Sequence, residues 1–189
     1  MISFWQNQPK MPGPNNHKNT LGTIISSGSS CAYTKTQIEQ ADALNSQNEP
    51  EKAYKIYKDI LVEDTGHADA LFGIGTILEK QQKLDLAIQF LSKAIESHPG
   101  KIQALLTRGR ILRLQGMSEN AISDFTEVIR QQPDNFEALV ARGITFGQTG
   151  KFNQAIDDFS LAIKINPDCA KAFYNRGVAY EKLHDFEAA

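Results

Sequence analysis

The residue types in this chain that could ligate a metal or move a proton are four histidines, two cysteines and a run of two aspartates. His17, His67, His98 and His184 lie far apart, so no two share the close spacing that brings two imidazoles onto one ion. Each reads as a surface histidine. Asp157 and Asp158 are adjacent, and neighbours on a helix point in different directions, which makes them a poor general acid and base pair. Solvated helix charges are the expectation for both. Cys31 and Cys169 form neither a disulfide framework nor a metal motif, which fits a reducing, intracellular setting. The glycines are too widely spaced for a phosphate-cradling loop. The expectation is therefore no catalytic residue, no metal and no cofactor. Arg110 and Arg113, three apart on one helix face, could clamp a carboxylate or a phosphate. Alternatively Glu79 and Glu137 neutralise them; this paired reading is preferred, because paired surface charges are common.

What must position these side chains is a period. Gly75, Gly109, Gly143 and Gly177 are 34 residues apart. Around each glycine, taken as residue 8 of a unit, the same company returns. The unit of Gly75 has Leu71, Leu78, Ala87, Leu91, Ala94 and Pro99, and that of Gly109 has Leu105, Leu112, Ala121, Phe125, Val128 and Pro133. The next has Leu139, Phe146, Ala155, Phe159, Ala162 and Pro167, and a last, incomplete one has Phe173, Tyr180 and Ala189. Upstream, Ala41, Leu44, Ala53, Tyr57 and Ile60 fit the frame more loosely.

The apolar positions of a unit recur three and four apart in two successive segments, which predicts two amphipathic helices closed into a hairpin. The turn falls at Gly116 and Gly150, where glycine takes the left-handed conformation that ends a helix, and Gln82 and His184 hold that place elsewhere. Pro99, Pro133 and Pro167 stop the second helix. A helical glycine costs about 1 kcal/mol relative to alanine, so four at one position imply close helix approach. Ala87, Ala121 and Ala155 are expected opposite them. Arg108, Arg142 and Arg176, each just before a glycine, suggest a ladder along the stack with buried aliphatic stems.

This pattern resembles the tetratricopeptide repeat, known by its 34-residue period and its large, small and proline landmarks. The resemblance covers residues 34–189 and implies an all-α solenoid, a right-handed superhelix of antiparallel helix hairpins. The units run 34–67 (degenerate), 68–101, 102–135, 136–169 and 170–189 (truncated). In that family residues 2, 5, 9 and 12 of each unit point into a concave groove. Carried onto this chain, residue 5 gives an apolar stripe of Ile38, Phe72, Leu106, Val140 and Tyr174. Ile144 and Val178 at residue 9 widen it, with Thr76 at the same place upstream, and Gly147 at residue 12 leaves room for a shallow pocket. Lys35, Asp69, Glu79, Arg110, Arg113, Glu137, Lys171 and Glu181 flank the stripe. An apolar centre with a polar rim suits a peptide or helix site. The alternative is that the residue-5 side chains are consumed in packing between units. Relatives that hold a chaperone's terminal carboxylate use Lys and Asn at residues 5 and 9, Asn at residue 6 of the next unit, and Lys and Arg at residues 2 and 6 of the third. The nearest frame here reads Leu106, Arg110, Ala141, Lys171 and Asn175, which disfavours that role.

Composition agrees with a helical globular protein, at 41% hydrophobic and 22% charged residues. No segment reaches the roughly 18 consecutive apolar residues of a membrane span, and no membrane insertion is expected. Residues 1–33 hold Lys10 and Lys18 but no acid, and are rich in Pro, Asn, Gly and Ser, which reads as a disordered tail. The remaining chain is net acidic, so a nucleic acid is not the expected partner. Ala189 is residue 20 of its unit, which leaves Phe173, Tyr180 and Phe186 without a covering helix. The preferred account is the front part of a longer protein; self-association through the uncapped edge and a fraying half-unit are the others. The expected function is a cytoplasmic protein–protein interaction scaffold that binds a peptide or helical segment in its groove. The alternative is the substrate-recruiting arm of a larger enzyme or assembly with its chemistry elsewhere.

Overall fold

The computed structural model describes residues 27–187, with side chains from 32 to 184. Among these residues there are nine α-helices and no strand: α1 (Ser27–Ser46), α2 (Pro50–Glu63), α3 (Ala68–Lys80), α4 (Leu84–Ser97), α5 (Ile102–Leu114), α6 (Ser118–Gln131), α7 (Phe136–Gln148), α8 (Phe152–Ile165) and α9 (Ala170–Glu187). The expectation of a disordered tail falls, for residues 1–26, outside the described residues. Residues 27–33, assigned by sequence to that tail, instead open α1.

Each hairpin closes in the same way. The residue after the C-cap takes a positive φ at Asn48 (63°), Gln82 (60°), Gly116 (78°) and Gly150 (75°). The next N–H then reaches back into the helix, from Glu49 to Leu44, Lys83 to Leu78, Met117 to Leu112 and Lys151 to Phe146, each at 2.9 Å. The last carbonyls are thereby satisfied. The expected turn at His184 is absent, because α9 runs without a break from Ala170 to Glu187. At that place the chain continues a helical ladder it closes in the other units.

The glycines fit the close-approach argument with a different partner. A Cβ on Gly109 would lie 2.7 Å from the Phe125 ring, one on Gly143 2.8 Å from Phe159, and one on Gly75 2.8 Å from Leu91. The occupant of the notch is thus the large residue 24 of the unit, on its second helix, not the expected alanine at residue 20. The alanines are buried beside it. Gly177 departs from the pattern, since no described atom lies within 4 Å of its Cβ position.

The helices form two layers. Successive odd-numbered helices touch, α1 with α3, α3 with α5, α5 with α7 and α7 with α9, whereas the even-numbered helices make no such contact with one another. A stack whose one layer is closer than the other must curve, so the odd helices line the concave side.

Arginine stitches the layers together. Arg108 donates to both carboxylate oxygens of Asp124 at 2.9 and 2.7 Å, and its third nitrogen donates to Ser92 Oγ at 2.8 Å. Arg142 repeats this with Asp158, at 2.8 Å twice, and with Thr126 Oγ1 at 3.0 Å. Each guanidinium therefore joins the second helix of its own unit to that of the preceding unit. Asp158 is buried in this pair, which corrects its reading as a solvated charge; Asp157 is exposed.

Candidate functional site

The concave face is built from α3, α5, α7 and α9, and the predicted groove residues behave differently along it. Phe72 is half-buried beneath Lys101, whose Nζ sits 5.4 Å from the ring centroid. Thr76 is half-buried, its hydroxyl donating to Gly73 O at 2.8 Å and accepting from Asn45 Nδ2 at 3.4 Å. Leu106 is half-buried against both neighbouring core clusters. Val140 is only 5% exposed and Tyr174 is 72% exposed. The residue-5 stripe is therefore graded rather than continuous: Val140 is used up by packing between α7 and its neighbours, while Tyr174 stands free.

Two hollows concentrate the rest. The first, of about 150 Å³, is lined by Arg110, Arg113, Phe136, Glu137, Val140, Ala141, Ile144, Cys169 and Lys171. It draws on three successive units and carries three cations against one acid. Arg110 is tied to Glu79 at 3.4 Å, as the neutralised reading expects. Arg113 is not tied to Glu137, and its half-buried side chain has a buried Nε without a hydrogen bond among the described residues. Glu137 and Lys171 are both exposed at the rim.

The second hollow, of about 310 Å³, is lined by Gly143, Ile144, Gly147, Gln148, Phe152, Phe159, Asn175, Val178, Ala179 and Lys182. Its lining is mainly apolar. Gly147 occupies residue 12 of its unit, where the preceding unit has Arg113, and no described atom lies within 4 Å of its Cβ position. The step from arginine to glycine at one register thus turns a cationic hollow into a larger apolar one. Ile144 lines both, so the two hollows are neighbours.

Sequence reasoning placed Arg110, Arg113, Val140, Ile144, Gly147, Lys171 and Val178 here, while Phe72, Thr76, Glu79, Leu106 and Tyr174 lie outside both hollows. It missed Phe136, Phe152, Phe159 and Cys169. Phe159 carried a core signal and is 2% exposed, its ring lying in the notch at Gly143 beneath the hollow. Phe136, Phe152 and Cys169 lie at helix starts and a unit junction, where the groove positions do not apply.

No group of His, Cys, Asp and Glu among the described residues is arranged to hold a metal ion. His67 caps α3, its Nδ1 accepting from Ala70 N at 3.4 Å. No described helix is long and apolar enough to cross a membrane.

Stacked helical hairpins with a grooved inner face define an α-solenoid of 34-residue repeats. Family models described as tetratricopeptide repeat match residues 44–109 and 103–135, and one described as TPR repeat matches 145–183. The chain belongs to the tetratricopeptide repeat family. None of the curated proteins matches the sequence. Among solved structures, the crystal structure of MamA protein matches with a TM-score of 0.73 at 20% identity, covering 80% of this chain and 82% of that one. YrrB, a TPR protein with an unusual peptide-binding site, matches with a TM-score of 0.71 at 22% identity, covering 84% of each chain. A tetratricopeptide repeat protein from Parabacteroides merdae matches with a TM-score of 0.72 at 21% identity, covering 82% of this chain and 61% of that one. At these identities the likeness is one of fold.

Proposed function

We propose that this chain is a protein-interaction scaffold, without chemistry of its own, whose concave groove between α5 and α9 takes a peptide segment presenting an acidic group beside a large apolar side chain. The observation that carries this is the register step from Arg113 to Gly147. A carboxylate at the first hollow meets Arg113 and Lys171, and an apolar side chain two or three residues away reaches the second, lined by Ile144, Phe152 and Val178. Buried charge-assisted contact and apolar burial then act together, as in other peptide grooves. The likeness to YrrB, itself described as having a peptide-binding site, is in keeping with such a use of the fold.

The test is a panel of short fluorescent peptides, acidic–apolar, basic–apolar and acidic only, read by anisotropy. The acidic–apolar set should bind most tightly, and Arg113→Gln and Ile144→Glu should each weaken it about tenfold or more. Equal binding of the basic–apolar set would overturn the proposal.

A further inference from the structure

The hollow at Arg113 holds a carboxylate as well as cations, and the repeat register shows what that carboxylate lacks. Asp69 is residue 2 of unit 68–101 and Lys101 is residue 34 of the same unit. The two form an ion pair, and the Lys101 Nζ also lies 5.4 Å from the centroid of the Phe72 ring. In unit 102–135 the same two positions are Gln103 and Asn135, both neutral. In unit 136–169 they are Glu137 and Cys169, which line the hollow together. The acid is present there without its internal cation.

Glu137 lies in the first turn of α7, where the helix dipole favours an acid. The dipole does not stand in for a partner, since Asp69 holds the same place in α3 and still takes Lys101. Glu137 is exposed, and among the described residues its carboxylate has no hydrogen bond or ion pair. Phe136 beside it also lines the hollow and is 38% exposed. An ammonium or guanidinium brought to Cys169 would therefore meet a carboxylate and an aromatic ring, as Lys101 meets Asp69 and Phe72.

We infer that the first hollow reads two charges of its ligand, an acidic group on Arg113 and Lys171 and a basic side chain on Glu137, so that the partner is a peptide carrying lysine or arginine next to its acid. This rests on the groove reading proposed above and adds to it one residue that decides specificity. The order along the peptide follows from α7. Glu137 is the second residue of that helix, and Ile144, which lines both hollows, lies seven residues on, about 10 Å along the axis. The basic side chain thus stands at the end of the motif away from the apolar one. A basic residue without the acid is not favoured, because Arg113 and Lys171 repel it.

The probes are fluorescent peptides with blocked ends, Lys-Glu-Ser-Ser-Leu and Gln-Glu-Ser-Ser-Leu, each also made in the reversed order. They are titrated into the 189-residue chain and read by anisotropy. In the better-bound order the lysine peptide should bind about fivefold more tightly than the glutamine peptide, and added salt should shrink that ratio. Glu137→Gln should bring the two peptides to equal affinity. Cys169→Lys, which copies Lys101, should do the same without removing the acid. Equal binding of the two peptides to the native chain overturns this inference and leaves the groove reading standing, and so does a lysine preference that survives Glu137→Gln. If neither peptide binds, the groove reading fails and the inference fails with it.

Discussion

Arg142 and Asp158 meet through two parallel hydrogen bonds of 2.8 Å, sixteen residues apart and largely buried, and Arg108 and Asp124 repeat the pair one unit earlier. One unit earlier still, the same two positions are Ile74 and Phe90, which pack within one apolar cluster. The fold therefore accepts either an ion pair or an apolar pair at this register.

That interchange can be measured. Asp158→Ala alone leaves the Arg142 guanidinium buried without a carboxylate and should lower stability by about 2–4 kcal/mol. The double variant Arg142→Ile, Asp158→Phe copies the natural apolar pair and should recover most of that loss. Urea unfolding of the single and double variants checks it; a double variant as weak as the single one would show that the pair does more than fill space.

The glycines at residue 8 are not equivalent. Gly109→Leu drives a side chain into the Phe125 ring and should cost roughly 3 kcal/mol or more, opening the α5–α6 hairpin. At Gly177 no described atom lies within 4 Å of a Cβ, so Gly177→Ala in this 189-residue chain should gain up to about 1 kcal/mol of helix propensity. Thermal melting of both variants separates a packing requirement from mere sequence repetition.

Gln82 holds a left-handed turn that Gly116 and Gly150 fill without strain. Gln82→Gly should stabilise the chain by about 1 kcal/mol, while Asn48→Gly should gain less, since asparagine tolerates that conformation. Equal effects at both sites in denaturant unfolding would count against this account.

Much of this was legible in one sequence because the period supplies a coordinate frame. The hairpins, the turns at Gly116 and Gly150, the stop before each proline and the room at Gly147 follow from helical spacing and backbone chemistry. The Arg–Asp pairs were legible too, since both recur at a separation of 16 residues, but a single-helix view of Asp157 and Asp158 hides a partner on another helix. The difference between Val140 and Tyr174 was not legible. They share residue 5, and their exposure depends on what the adjacent unit places against them. The same limit explains Gly177, whose type matches Gly143 although its surroundings do not.

The Glu127 carboxyl is held low, to about 2, first by the hydrogen bonds from Arg130 at 2.8 and 2.7 Å and then by that from Gln131 at 2.6 Å. A carboxyl lowered by folding stabilises the native state above its unfolded value and loses that contribution as pH falls toward its folded one. Between about pH 4.5 and 2, Glu127→Gln should therefore flatten part of the acid-side slope of stability. The pair is on the surface, so added salt should shrink the difference between the two chains. Parallel acid titrations of the native chain and the variant, at low and high salt, test both statements.

Gly147 offers the sharpest separation of binding from folding. Arginine stands at this register in the preceding unit, and the space beside Gly147 is open, so Gly147→Arg should fold normally and gain about 0.5–1 kcal/mol from helix propensity. The new side chain would fill the 310 Å³ hollow and abolish its apolar lining, so an acidic–apolar peptide should lose most of its affinity. Ile144→Glu removes the shared wall and should act in the same direction. Val140→Glu is a poor probe of binding, because a carboxylate at a position 5% exposed would unfold the repeat before it could test the groove. Unfolding curves and anisotropy on the same Gly147→Arg sample give the decisive pair of numbers: greater stability with lost binding fits a groove at Ile144 and Gly147, and greater stability with binding intact places the ligand elsewhere.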